Sequence, residues 1–126
     1  MQLYSTEWIS AFNEAVAGLD AEPGVSFRMV QVVHGGPGGT ERIALEVTDG
    51  RISLRHASPD EPAPQVTVSV SFGDAFALCQ GELDPAKLLA AGRVKVRGDL
   101  SVLVKGQALM AAAVERLDAL SKRTTS

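Results

Sequence analysis

Apolar residues recur along this chain in two rhythms that take turns. Trp8, Ile9, Phe12, Ala15, Val16 and Leu19 fall three and four apart, the stripe of an amphipathic helix. Ser5 is placed to cap that helix, and Gly18, then Pro23-Gly24, end it. The period then drops to two. Val25, Phe27 and Met29 alternate with Ser26 and Arg28, and Val30, Val32 and Val33 continue the strand, apolar on both sides, to His34. The run Gly35-Gly36-Pro37-Gly38-Gly39 can only be a turn. Arg42 to Val47 and Arg51 to Arg55 alternate cleanly on either side of Asp49-Gly50, a strong hairpin signal. Residues 25–56 therefore predict a three-stranded antiparallel meander.

Ser58 to Pro64 holds Pro59, Pro62 and Pro64 with Asp60 and Glu61, and predicts an exposed loop. Val66, Val68 and Val70 alternate with Thr67, Ser69 and Ser71 as a fourth strand. The helical rhythm then returns in Phe72, Ala75, Phe76 and Cys79, closed by Gly81. Asp84-Pro85 places a cap and a first-turn proline before Leu88 and Leu89, and Gly92 ends that helix. Arg93 to Arg97 reads as a fifth strand. Gly98-Asp99 opens a last helix to about Lys122, with Leu103, Gly106, Met110, Ala113, Leu117 and Leu120 spaced along it. The order α-β-β-β-β-α-α-β-α, with strands segregated from helices, predicts the α+β class.

The chain has 126 residues, enough for one domain over 1–126 with a core that needs no disulfide or metal. Apolar residues make up 45 %, which excludes disorder as the main state. The net charge of −3 is unevenly spread, about −7 over residues 1–92 and +4 over 93–126. A single cysteine, Cys79, precludes an intrachain disulfide and suits a reducing compartment. Met1 to Asn13 lacks the basic start of a signal peptide, and no apolar run approaches the ~20 residues of a membrane span. The expectation is a soluble cytoplasmic protein.

No arrangement of residues points to bond-making chemistry. The glycine run lies between two strands, lacks the dinucleotide fingerprint and is not followed by Gly-Lys-Ser/Thr, so it predicts a turn and not a phosphate cradle. His34 and His56 have no metal-ligand spacing around them. Cys79 shares an apolar helix face with Phe72 and Phe76, the setting of an inert buried thiol. Asp84 and Asp99 are explained as caps. These features predict no enzyme, no metal and no cofactor. Nucleic acid is excluded as a partner, because the chain is acidic and has no interleaved aromatic and basic residues.

Several ordered elements resemble the sterol carrier protein type-2 domain family. They are Gly36-Pro37-Gly38-Gly39 between two strands; Val66 to Val70 leading into Phe72-Gly-Asp-Ala-Phe-Ala-Leu78; Gly81-Glu-Leu-Asp-Pro85; and Gly92-Arg-Val-Lys-Val-Arg-Gly-Asp99-Leu. The resemblance covers about residues 25–110. It implies a five-stranded, mostly antiparallel sheet, helices on one face and an apolar tunnel between them. It also implies binding of sterols, fatty acids, acyl-CoA or phospholipids, with transfer or presentation in place of catalysis. The chain looks like the small stand-alone bacterial kind. It departs from the family at Leu88-Leu89-Ala90-Ala91, where aromatics are common, in an abbreviated first helix, and in an Ala-rich helix from Ala111 onward.

If the tunnel exists, its candidate lining is the apolar side of the sheet and the facing helices. From the sheet these are Phe27, Met29, Leu45, Val47, Leu54, Val94 and Val96; from the helices, Phe12, Phe72, Phe76, Leu88, Leu89, Leu103 and Met110. The same residues also serve as an ordinary core. Arg93, Lys95 and Arg97 project to one side of the fifth strand and form a candidate dock for an anionic membrane surface. Met110, Ala113, Leu117 and Leu120 form a candidate homodimer face or a plug for the tunnel. The alternative to a lipid carrier is therefore a non-catalytic interaction module whose tunnel is closed or self-filled.

Overall fold

The computed structural model describes residues 1–19, 26–105 and 107–126. A helix α1 (Thr6–Ala15) precedes three strands, β1 (Phe27–Gly36), β2 (Gly39–Thr48) and β3 (Arg51–His56). Strand β4 (Val66–Ser71) runs straight into α2 (Phe72–Cys79), followed by α3 (Pro85–Ala90) and β5 (Lys95–Gly98). Among the described residues the helical segments α4 (Leu100–Lys105), α5 (Gln107–Arg116) and α6 (Asp118–Lys122) end the chain. Val25, read above as the start of a strand, lies outside the described residues.

The five strands form one sheet in the order β3-β2-β1-β4-β5. The meander β1-β2-β3 and the pair β4-β5 are antiparallel, and only β1 and β4 run parallel. The register aligns apolar rows across the sheet. Phe27, Val47 and Ile52 form one row and Met29, Leu45 and Leu54 the next. These rows face the helices, and most of their members are buried in one core with Trp8, Ile9 and Phe12 of α1. Full burial of each such side chain contributes about 1.5–3 kcal/mol. Ser5 caps α1 as its sequence position predicts, accepting from the Trp8 amide at 3.1 Å.

The connection from β3 to β4 must cross the sheet, and it crosses the outer face. Arg28 donates to the Pro62 carbonyl at 2.6 Å, and Arg55 pairs with Glu61, holding the loop there. This cover accounts for the complete burial of Val30 and Ala44 on the face away from the helices.

Two glycines are required by geometry. At Gly36 an added Cβ would press on the Phe72 ring at 3.2 Å, so the glycine-rich turn is what lets the start of α2 pack against the hairpin. At Gly98 φ is +110° and a Cβ would stand 2.1 Å from the Gln65 carbonyl oxygen, which the next amide, Asp99, needs as its acceptor.

Two boundaries differ from the sequence expectation. Strand β5 begins at Lys95, because the amides of Arg93 and Val94 both donate to the Leu88 carbonyl and so complete the end of α3. The predicted last helix ends at Arg116, and the turn at Leu117 brings Leu120 into the core and Thr124 to Trp8.

Candidate functional site

The N-terminal turn, α1, α2 and the last two helices leave a half-open cavity of about 250 Å³ over β1. Leu3, Tyr4 and Trp8 supply one wall, Ala75, Leu78 and Cys79 of α2 another. Val114, Leu117, Leu120 and Ser121 close the third side, with Val114 standing 65 % exposed. Gln31 of β1 forms part of the lining where the rest of that strand's inward side is apolar. Pockets for small molecules usually span about 300–1,000 Å³, so this one lies just below that range.

Its few polar atoms are arranged, not scattered. The Tyr4 hydroxyl donates to Gln31 Oε1 at 2.9 Å. Burial, reinforced by the neighbouring Cys79, pushes the Tyr4 phenol well above its ordinary range, so it stays a donor. Tyr4 itself sits at φ 63°, a left-handed conformation that an L residue seldom adopts. His56 Nε2 donates to the Tyr4 carbonyl at 3.0 Å and steadies that turn. Across the cavity, Cys79 Sγ lies 3.8 Å from Ser121 Oγ, and Gln80 Nε2 donates to the Ser121 carbonyl at 2.8 Å. Among the described residues no carboxylate, histidine, lysine or arginine lines the cavity. The site offers shape, apolar contact and a small number of oriented hydrogen bonds.

The described side chains among those named from sequence as a tunnel lining are absent from this cavity's wall. Phe12 stacks on Trp8 with ring centroids 5.7 Å apart, inside the core. Phe27, Leu45, Val47, Leu54 and Phe72 are core residues, and Met29, Phe76 and Val94 pack against that core. Val96 faces the helices from β5 and is half-buried. Leu88 is buried beside a separate surface hollow, and Leu89 is 53 % exposed. The side chains of Leu103 and Met110 lie outside the described residues. Sequence reasoning passed over Gln31, Tyr4 and Leu78. The signal was available for one of them: along Phe27, Met29, Gln31, Val33, the inward-facing alternation is interrupted once, at Gln31.

The charged and dimer-face expectations also change. Only Lys95 and Arg97 lie on β5. Arg93 precedes it and is held by Asp74 at the start of α2, where Nε donates to Oδ2 at 3.2 Å. Ala113 and Leu120 are 1 % and 2 % exposed inside the chain's own core, so that stripe is not a free face. Leu117 lines the cavity.

Residues 17–111 match the model of the SCP-2 sterol transfer family. The chain belongs to that family. SCP-2 domains bind and transfer lipids, and this fold follows theirs. The crystal structure of sterol carrier protein 2 superposes with a TM-score of 0.65 at 14 % identity, over 91 % of this chain and 96 % of that one. The solution structure of palmitated SCP2L2 from Aedes aegypti gives 0.62 at 19 % identity, over 90 % and 95 %. Among curated proteins, stomatin-like protein 1 of Mus musculus is 39 % identical over 77 residues, 60 % of this chain. The match spans 19 % of that protein's length, about a fifth. Among the described residues no helix is long and apolar enough to cross a membrane.

Proposed function

We propose that this chain binds the apolar body of a lipid in the cavity between α1, α2 and α5–α6, and carries or presents it in the cytoplasm without chemistry of its own. The observation that supports this reading is an apolar, half-open cavity with no charged side chain among its described lining residues, in a chain of the SCP-2 family. A carrier must match what a bilayer offers. Each buried methylene is worth about 0.8 kcal/mol, so a sixteen-carbon chain involves on the order of 12 kcal/mol gross, most of it already available in the membrane. Walls of Leu, Val and Trp provide a comparable environment.

The cavity's size sets a condition on this reading. Its volume of about 250 Å³ takes one end of a long lipid, and the remainder passes out beside Val114 or displaces α5 and α6 to lengthen the cavity. These two helices are short, and the turn at Leu117 joins them without a side-chain cap. Loading takes place at an anionic membrane surface, which Lys95 and Arg97 approach first. Both are exposed on the sheet face opposite the helices, beside Ser69 and Thr67. The test is native mass spectrometry of freshly purified protein, followed by organic extraction. A near-stoichiometric co-purifying lipid supports the reading. An apo protein that also takes up no fluorescent fatty acid overturns it in favour of an interaction module.

A further inference from the structure

We infer that the cavity selects an uncharged lipid that presents one hydrogen-bond-accepting oxygen, an alcohol, ester or amide, over the ionised carboxylate of the same chain length. This inference rests on the reading of the cavity as a lipid site and specifies the chemistry of that site's polar end.

The argument starts from what the lining lacks. A carboxylate moved out of water needs a cation or several donors, and without them its burial is far costlier than that of a neutral oxygen. Among the described residues the lining holds no Lys, Arg or His. A free fatty acid that buries its head here therefore loses most of what its chain gains, or it must bind with its head in solvent.

The second step is the Tyr4–Gln31 pair. The Tyr4 hydroxyl spends its only hydrogen on Gln31 Oε1. With Oε1 engaged there, Nε2 is the free end of the amide. Tyr4 is in turn held by His56 through its carbonyl. Gln31 Nε2 has no hydrogen-bond partner among the described residues, and the residue lines the cavity. An amide with its acceptor engaged and its donors unused is a receptor for a neutral acceptor oxygen. An alkane leaves that donor unpaired, which is itself unfavourable. An alcohol or ester carbonyl pairs with it, and an alcohol's own hydrogen can return to the free lone pair of the Tyr4 oxygen.

The experiment is displacement of diphenylhexatriene, an uncharged fluorescent probe, from the full chain by decanol, methyl decanoate and decanoate at pH 8. Decanol and methyl decanoate are expected to displace it at concentrations at least about tenfold lower than decanoate, the order of one unfavourable buried polar group. The gap narrows toward pH 5 as decanoate takes up its proton. Gln31→Leu is expected to weaken decanol roughly tenfold relative to diphenylhexatriene, whose binding is retained or tightened because no donor is left unpaired beneath a hydrocarbon, and that retained binding reports that the cavity is intact. Decanoate binding as tightly as decanol at pH 8 overturns the inference and leaves the lipid site standing. So does an unchanged decanol affinity in Gln31→Leu. If neither the probe nor any of the three ligands binds, the lipid-site reading fails and the inference fails with it.

Discussion

Trp8 Nε1 donates a 2.9 Å hydrogen bond to Thr124 Oγ1, joining the first helix to the last residues of the chain in a buried contact. Thr124 Oγ1 passes its own hydrogen to the Leu120 carbonyl at 2.7 Å. Around this bond the two ends clasp: Leu3 donates to the Thr125 carbonyl at 2.9 Å and Thr125 to the Met1 carbonyl at 2.7 Å. Trp8 and Leu120 both line the cavity, so the clasp also sets its shape. Thr124→Val keeps the volume and strands the indole N–H. The expected loss is about 1–3 kcal/mol, a drop of several degrees in Tm. Trp8 is the chain's single tryptophan, so its emission reads the same change directly.

Asn13 ties α1 to the edge strand. Its Nδ2 donates to the Leu54 carbonyl at 2.9 Å, and its Oδ1 accepts from the Leu54 amide at 2.8 Å. One side chain thus satisfies both backbone groups of Leu54. Asn13→Ala removes both bonds and is expected to cost about 1–3 kcal/mol by denaturant titration. Asn13→Asp retains the acceptor and loses the donor, and is expected to fall between the two. Hydrogen exchange at the Leu54 amide should quicken most in the alanine variant.

The fold was largely legible in the sequence, and the cavity was not, for one physical reason. Period-two and period-three patterns report which side of an element is apolar, and that was enough to place all five strands and the first helices. They do not report what the apolar side meets. Phe12 and Leu45 have the same pattern whether they touch a ligand or another side chain, and here they touch other side chains. The sites that mattered break the pattern. Gln31 is polar on an inward row, and Tyr4 sits in a turn before the first periodic residue. The break at Leu117 was invisible because its cause is tertiary: Leu120 and Thr124 gain their partners only if the helix stops. Arg93 read as strand because its charge alternates with Val94, yet the end of α3 claims its amide and Asp74 its guanidinium.

The loop that crosses the outer face carries an acid-sensitive tie. The Arg55 guanidinium, with the Ser58 amide, pulls the Glu61 carboxyl down from 4.5 to about 2. A lowered folded-state pKa means the tie is complete above the unfolded value and is lost as pH falls through the folded one. Its contribution is therefore full above about pH 4.5 and fades between there and about pH 2. A carboxyl-detected NMR titration of Glu61 should show a midpoint near 2, and Arg55→Gln should move it up toward 4.5. A midpoint near 4.5 in the unsubstituted protein would show that the pair does not hold in solution.

Lys95 and Arg97 project from β5 with no hydrogen bond or ion pair among the described residues, whereas Arg93 is paired with Asp74. A charge near an anionic lipid surface is worth about 1 kcal/mol. The double reversal Lys95→Glu, Arg97→Glu is expected to lower partitioning onto phosphatidylserine vesicles more than about tenfold at low salt, with a flatter salt dependence. Arg93→Gln is expected to leave partitioning nearly unchanged. If Arg93→Gln weakens binding as much as the double reversal, the surface is not the one presented by β5.

Leu78 offers the cleanest way to fill the cavity. It lies on α2, half-buried, and borders the opening without belonging to the core. Leu78→Trp places an indole into a space of about 250 Å³ and has room to do so without displacing the sheet. The expected result is loss of lipid and probe uptake with Tm unchanged or slightly raised, since filling a void adds contacts and strains nothing. Leu89→Trp is the matched control. Leu89 is 53 % exposed on α3 and is absent from the cavity wall, so uptake should persist. Uptake that survives Leu78→Trp and fails in Leu89→Trp would move the binding site from the space between α2 and α6 to the surface of α3.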